Sequence, residues 1–387
     1  MHKLKYLDGL RGLAALLVVI NHFVVAFYPA LYNGVPDQIH TRNSLELRIA
    51  PTPFNLLYNG NFAVCIFFVL SGYVLTYKFF KTGDIHFLKN SAVKRYFRLA
   101  VPVLFSVLIV FVFIKIPLFY NRQAADISLS EWWLGSFWNF TPDIWDALKT
   151  GLISTLFFHN SSYNTVLWTM TYELYGSFLV FSFAALFGTM RNRWILYLSI
   201  ALLLYDTIYL GFILGMLLAD LQQQESFFDK LFFKKIAIKI VLLLLGLYMA
   251  SYPTGISPNS INNSIYKYIL TDDYNMIVFY HTIGAFLIVL ILLCSEHLQR
   301  LFSLRFFFIL GQFSFALYLT HVIVLGSFTS WLFVKLAPYY SYSISVTISC
   351  LISIPLLAFA SYLVYKFADQ KGIQLANKIH SLFFSSK

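Results

Sequence analysis

The sequence predicts an all-α integral membrane protein of about ten transmembrane helices with both termini cytoplasmic. Three observations lead there. Of the 387 residues, 59% are hydrophobic and only 12% are charged, against about 25% charged in a soluble domain. The apolar residues gather in runs near the roughly 20 residues that a bilayer crossing needs. The basic residues fall mostly between alternate runs, as they do in loops that face a cytoplasm.

Taken in order, the candidate runs are 4–28, 56–80, 95–119, 164–188, 192–205, 207–221, 236–252, 274–294, 311–335 and 342–368. The first carries Asp8 and Arg11 where a cleavable leader would have its apolar core, so it is expected to be retained as a span. The third opens on the basic stretch KRYFR. The fifth and sixth are short and close together, and either one bent hairpin or two tilted helices would accommodate them. The longest stretches outside the runs are 29–55 and 120–163. The second of these holds EWWLGSFWNFTPDIW, whose indole rings suit a membrane interface. One membrane domain over 1–370 is expected, followed by a short cytoplasmic tail over 371–387.

With the N-terminus inside, 20 of the 28 Lys and Arg residues fall on inner segments, Lys3, Lys230, Lys234 and Lys387 among them. Seven fall on outer segments, and Arg11 lies within a span. An odd number of crossings would scramble this asymmetry. The net charge of +11 is therefore read as attraction to anionic lipid, with nucleic acid excluded as a partner. Cys65, Cys294 and Cys350 each sit in an apolar run with no C-x-x-C spacing and are read as small core residues; no metal is expected.

Ionisable residues inside a membrane are costly and usually mark a site. Arg11 and His22 are eleven residues apart, three helical turns and about 20°, so they share one face about 16 Å apart. A cation at one end and an imidazole at the other suit a coenzyme A thioester, with phosphates held at the inner face and the reactive carbonyl held deeper. The blander alternative is an arginine that snorkels to the interface and a histidine bonded to a neighbouring helix. Arg95 and Arg98, an i, i+3 pair, suit phosphate or headgroups. Glu173 sits in LWTMTYELYGSF, where a carboxylate needs a partner: a histidine to orient, an arginine to pair with, or a proton to accept. Gln312, Ser314, Tyr318 and His321 form a polar stripe that either lines a site or glues helices together. Ser71-Gly72 reads as a packing glycine beside a backbone-bonded serine, with a nucleophilic serine as the rival.

LDGLRGLAALLVVINHF with its R-x10-H frame, FFVLSGYVLT, RYFR, LWTMTYELY and SFALYLTHVIVL together resemble the membrane acyltransferase-3 family over residues 7 to about 325. The resemblance implies a ten-helix fold in a bacterial plasma membrane. It also implies acyl transfer from cytoplasmic acyl-CoA, most commonly acetyl-CoA, to a hydroxyl of a glycan or lipid-linked saccharide at the outer face. His22 matches the family's essential histidine, expected either to activate the acceptor hydroxyl as a general base or briefly to take the acyl group itself, and Arg11 its partner in that motif. Arg95 and Arg98 match the pair thought to hold coenzyme A, and Glu173 matches an acidic position of the fourth span. Tyr318 and His321 are expected on the acceptor side. Thr169 stands where the family often has Ser, and Leu174 where it often has a second Glu. Relatives often add an extracytoplasmic hydrolase-like domain; none is legible here, so the domain is expected to act alone or with a separate partner. The competing function is a proton-coupled transporter or a lipid-linked-sugar flippase, disfavoured because no pair of related halves is visible.

Overall fold

The computed structural model describes residues 4–224 and 235–384. Lys3, Lys230, Lys234 and Lys387, counted in the charge asymmetry, lie outside the described residues. Among the described residues the regular structure is entirely helical, with no strand.

Seven helical segments are long and apolar enough to cross a membrane. They are built on α1 (Lys5–Phe27), α2 (Gly60–Thr82), α3 (Ile85–Lys115), α4 (Trp168–Phe187), and, later in the chain, Tyr274–Cys294, Arg305–Leu336 and Tyr342–Leu382. Three shorter apolar helices stand between the two groups: α5 (Arg193–Leu203), α6 (Tyr209–Leu221) and α7 (Ile236–Ala250). They fall on the fifth, sixth and seventh candidate runs, so each of the ten runs is helical, although only seven reach spanning length. The remaining helices are α8 (Tyr274–Cys294), α9 (Arg305–Val324), α10 (Tyr342–Val364) and α11 (Gln370–Phe384). A π-helical segment at Tyr365–Asp369 joins α10 to α11, so the expected tail continues as helix and packs along α3. Leu186, Leu203, Val241, Leu244, Leu351 and Ile354 are large apolar side chains left exposed on these helices. Lipid rather than water is the solvent that such faces fit, and the protein is a multi-pass membrane protein.

The helices begin where short polar side chains can satisfy the first free backbone N–H groups. Asn59 accepts from the Phe62 N–H at the start of α2, Asp84 from His86 at the start of α3, and Asp273 from Asn275 at the start of α8. The three cysteines are free, Cys65 buried and Cys294 and Cys350 partly so.

The packing that positions the site is the crossing of α1 on α9. The glycines of LDGLRG permit it: a Cβ on Gly12 would lie 2.5 Å from the Gly311 nitrogen, and one on Gly311 would lie 2.0 Å from the Asp8 carbonyl oxygen. Only a residue without a side chain allows backbones this close. α2 packs against the other flank of α1, and just before α2 the Tyr58 carbonyl accepts from the Asn21 Nδ2 at 2.7 Å. The face of α1 between these two neighbours is the one that carries Arg11 and His22.

Candidate active site

A cavity of about 310 Å³ opens among α1, α2, α3, α4, α9 and the segment joining α10 to α11. Its ionisable lining is balanced, with Arg11, Arg95 and Arg98 facing Asp8, Glu173 and Asp369. Ser71, Thr169, Gln312, Ser314 and Tyr318 add polar atoms, and Val64, Phe67 and Phe68 form apolar wall. Thus Arg11, Arg95, Arg98, Glu173 and Tyr318, drawn from four separate helices, come together around one space.

The three arginines are not equivalent. Arg95 is buried at 8% exposure. Its Nη2 donates to Glu173 Oε1, and its Nε donates to Ser177 Oγ at 2.7 Å. Ser71 donates to the same Glu173 oxygen at 2.7 Å. The expectation of a backbone-bonded Ser71 is therefore corrected: α4 brings a carboxylate within reach, and an ionised acceptor makes the stronger bond. Gly72 does pack closely, against the backbone of Phe212. Glu173 pairs with an arginine, one of the three partners its position suggested; no hydrogen bond joins it to a histidine among the described residues. Arg11 and Arg98 keep their guanidinium donors free of hydrogen bonds among the described residues, and Arg98 is exposed. Two unspent forks beside one spent one make a site able to take an oxyanion.

His22 does not line this cavity. It lies farther along α1, away from Arg11, with its Nδ1 2.7 Å from His321 Nε2. The two rings are tilted by only 8° with centroids 5.0 Å apart, a spacing accounted for by the bond and the two ring radii. They are therefore nearly coplanar and bonded edge to edge, rather than stacked. His321 Nδ1 in turn lies 3.0 Å from the Leu317 carbonyl oxygen. A carbonyl only accepts, so this nitrogen of His321 carries the proton. In the neutral pair, His321 Nε2 is then the acceptor, His22 Nδ1 the donor, and His22 Nε2 keeps its lone pair. The chain Leu317–His321–His22 thus fixes one tautomer of His22 and leaves a base at its far nitrogen.

Tyr318, one helical turn below His321, donates to the Val166 carbonyl at 2.8 Å and lies 2.9 Å from the Thr169 hydroxyl. It ties α9 to the start of α4 while its ring borders the cavity.

Two participants escaped the sequence reading. Asp369 reaches the cavity from the segment before α11; it is the one acidic residue in the basic stretch 366–387, a signal present but unused. Trp133 packs on His22 with ring centroids 5.0 Å apart and a tilt of 28°. Its place in the Trp-rich stretch pointed to an interface, and nothing local in the sequence links it to residue 22.

A family model described as an acyltransferase domain, that of acyltransferase-3, matches residues 4–364. Acyltransferase clz18 of Cochliobolus lunatus is 25% identical over 398 residues, covering 85% of this chain and 84% of that protein. An acyltransferase of Phoma sp. matches to the same extent. The O-acetyltransferase PaAT-1 of Phomopsis amygdali is 28% identical over 257 residues, covering 57% of this chain and 49% of that protein. No solved structure matches.

Proposed function

Because the chain belongs to the acyltransferase-3 family and is an acyl-transferring enzyme of the membrane, we propose that it moves an acyl group, acetyl in the first instance, from acyl-CoA to a hydroxyl of a glycan or lipid-linked saccharide. The observation that carries this reading is the sharing of one face of α1 by a guanidinium with free donors and a histidine with a fixed tautomer. Arg11 and Arg98 bind the phosphates of the donor, and Arg95, held by Glu173 and Ser177, shapes the wall beside them. The pantetheine arm runs along α1 toward His22. In this scheme the bundle crosses the membrane ten times, the three short helices included, with both termini on the side that supplies acyl-CoA. The bacterial setting expected from the resemblance draws no support from the relatives reported above.

The chemistry follows from the tautomer. The acceptor hydroxyl gives its proton to His22 Nε2 as its oxygen attacks the thioester carbonyl carbon. The tetrahedral adduct collapses with loss of the thiolate, which takes the proton back from His22. A positioned base of this kind contributes about 10²–10⁴-fold. Glu173 acts through Arg95 as a charge balance for the donor cavity, and Tyr318 borders that cavity one helical turn from His321. The test is coenzyme A release from acetyl-CoA by purified protein in nanodiscs, with a lipid-linked saccharide supplied as acceptor. His22→Ala is expected to lower it at least about 10²-fold while leaving the protein inserted and monodisperse. Full release by that variant would refute the assignment.

A further inference from the structure

A base at His22 Nε2 has a competitor for the acceptor hydroxyl, namely water, and excluding it is a task that an enclosed site performs. The side of His22 toward the cavity is occupied by the donor in the reading above, on which this inference rests. One face of the His22 ring is covered by Trp133. The loop that carries Trp133 is fastened to α1 beyond His22, in the direction away from Arg11, where the Ser130 hydroxyl donates to the Val25 carbonyl at 2.8 Å. Asn121 Nδ2 donates to the Leu134 carbonyl at 2.8 Å, next to Trp133 itself. Phe137 sets its ring edge-on to Trp133, with centroids 4.9 Å apart. Trp138 then anchors the loop: its indole N–H donates to the Tyr163 carbonyl at 2.8 Å, and its ring stacks on Phe119 with centroids 3.5 Å apart.

The loop holds this shape against its own backbone preference. Leu129 and Trp138 adopt φ of 57° and 58°, a left-handed conformation that large side chains avoid and that persists only where the surroundings over-determine it. A segment required only to rest in the headgroup region needs no such constraint. The Trp-rich stretch is thus fastened on both sides of Trp133, the residue that meets the imidazole.

We propose that Trp133 is the specificity-determining wall that keeps water from His22 and so makes the protein a transferase rather than a thioesterase. Without the indole, water would take the acceptor's place. Its oxygen would bond to the acyl carbonyl carbon, the C–S bond would break, and one water proton would pass through His22 Nε2 to the leaving thiolate. The products would be the free carboxylic acid and coenzyme A.

The experiment is release of coenzyme A from acetyl-CoA by the full chain in nanodiscs with no acceptor added. Trp133→Ala is expected to raise release about tenfold over the unmodified protein. Trp133→Phe should stay near the unmodified rate, and Trp133→Ala combined with His22→Ala should abolish the gain. Ser130→Ala, which loosens the loop from α1 without touching the imidazole, should give a smaller rise; it carries the test if Trp133→Ala fails to insert. A purely structural role for Trp133 would lower release rather than raise it. Release unchanged in both loop variants, while transfer still depends on His22, overturns the wall alone. A rise that survives loss of His22 overturns the wall and the base together.

Discussion

His22 and His321 lie 299 residues apart in the chain and 2.7 Å apart at Nδ1 and Nε2. The bond runs between two helices whose backbones meet at Gly12 and Gly311, so the contact that fixes the imidazole also depends on a crossing with no room for side chains. His321 is completely buried. Its role in the proposed mechanism is to position His22 rather than to touch the acceptor, the place first expected for it.

Replacing His321 therefore tests the tautomer argument. In His321→Ala the Nδ1 of His22 loses its acceptor and the base is no longer confined to Nε2. The rate should fall by about 10²-fold, within the range assigned to positioned acid–base groups, with the donor KM little changed. His321→Gln places an amide oxygen, an acceptor, near the same position and should recover part of the rate. Equal rates for the Ala and Gln variants would show that the hydrogen bond is not what matters.

Arg95 and Arg98 should separate cleanly when each is changed to Ala. Removing Arg95 leaves the Glu173 carboxylate without its counter-charge, and breaking a largely buried pair in this way costs about 3–5 kcal/mol. A lower melting temperature of the purified protein is the expected reading. Removing Arg98, which is exposed and without a hydrogen bond among the described residues, should leave the melting temperature unchanged and raise the donor KM. If both variants lose stability alike, the division between a structural and a donor-binding arginine fails.

That division was not legible in the sequence. The i, i+3 spacing puts Arg95 and Arg98 side by side, and nothing in it says that α4 supplies Glu173 and Ser177 to one and not to the other. What could be read rests on single helices: the apolar runs, the shared face of Arg11 and His22, and the polar stripe from Gln312 to His321. What could not be read depends on which helices touch. The Ser71–Glu173 bond, the approach of Trp133 to His22, and the entry of Asp369 into the cavity each join segments far apart in the chain, and a helical period carries no information about its neighbour. The glycines of LDGLRG belong with these: only the fold identifies Gly311 as the backbone that Gly12 meets.

Asp369 offers the last test, and its sign is set by the charges around it. It faces the same cavity as Arg11 and Arg98, the two guanidinium groups assigned to the donor's phosphates. A carboxylate there lowers the positive potential that the phosphates meet, and like charges within a partly enclosed site interact by a few kcal/mol at most. Asp369→Asn removes the negative charge and keeps the side chain's size. It should tighten donor binding by about tenfold, seen as a lower Kd for coenzyme A in isothermal titration, with the gain shrinking as salt is raised. If Asp369 instead holds Arg11 or Arg98 in the geometry that meets the donor, the same variant will weaken binding. The two signs thus separate a competitor for the arginines from a support for them.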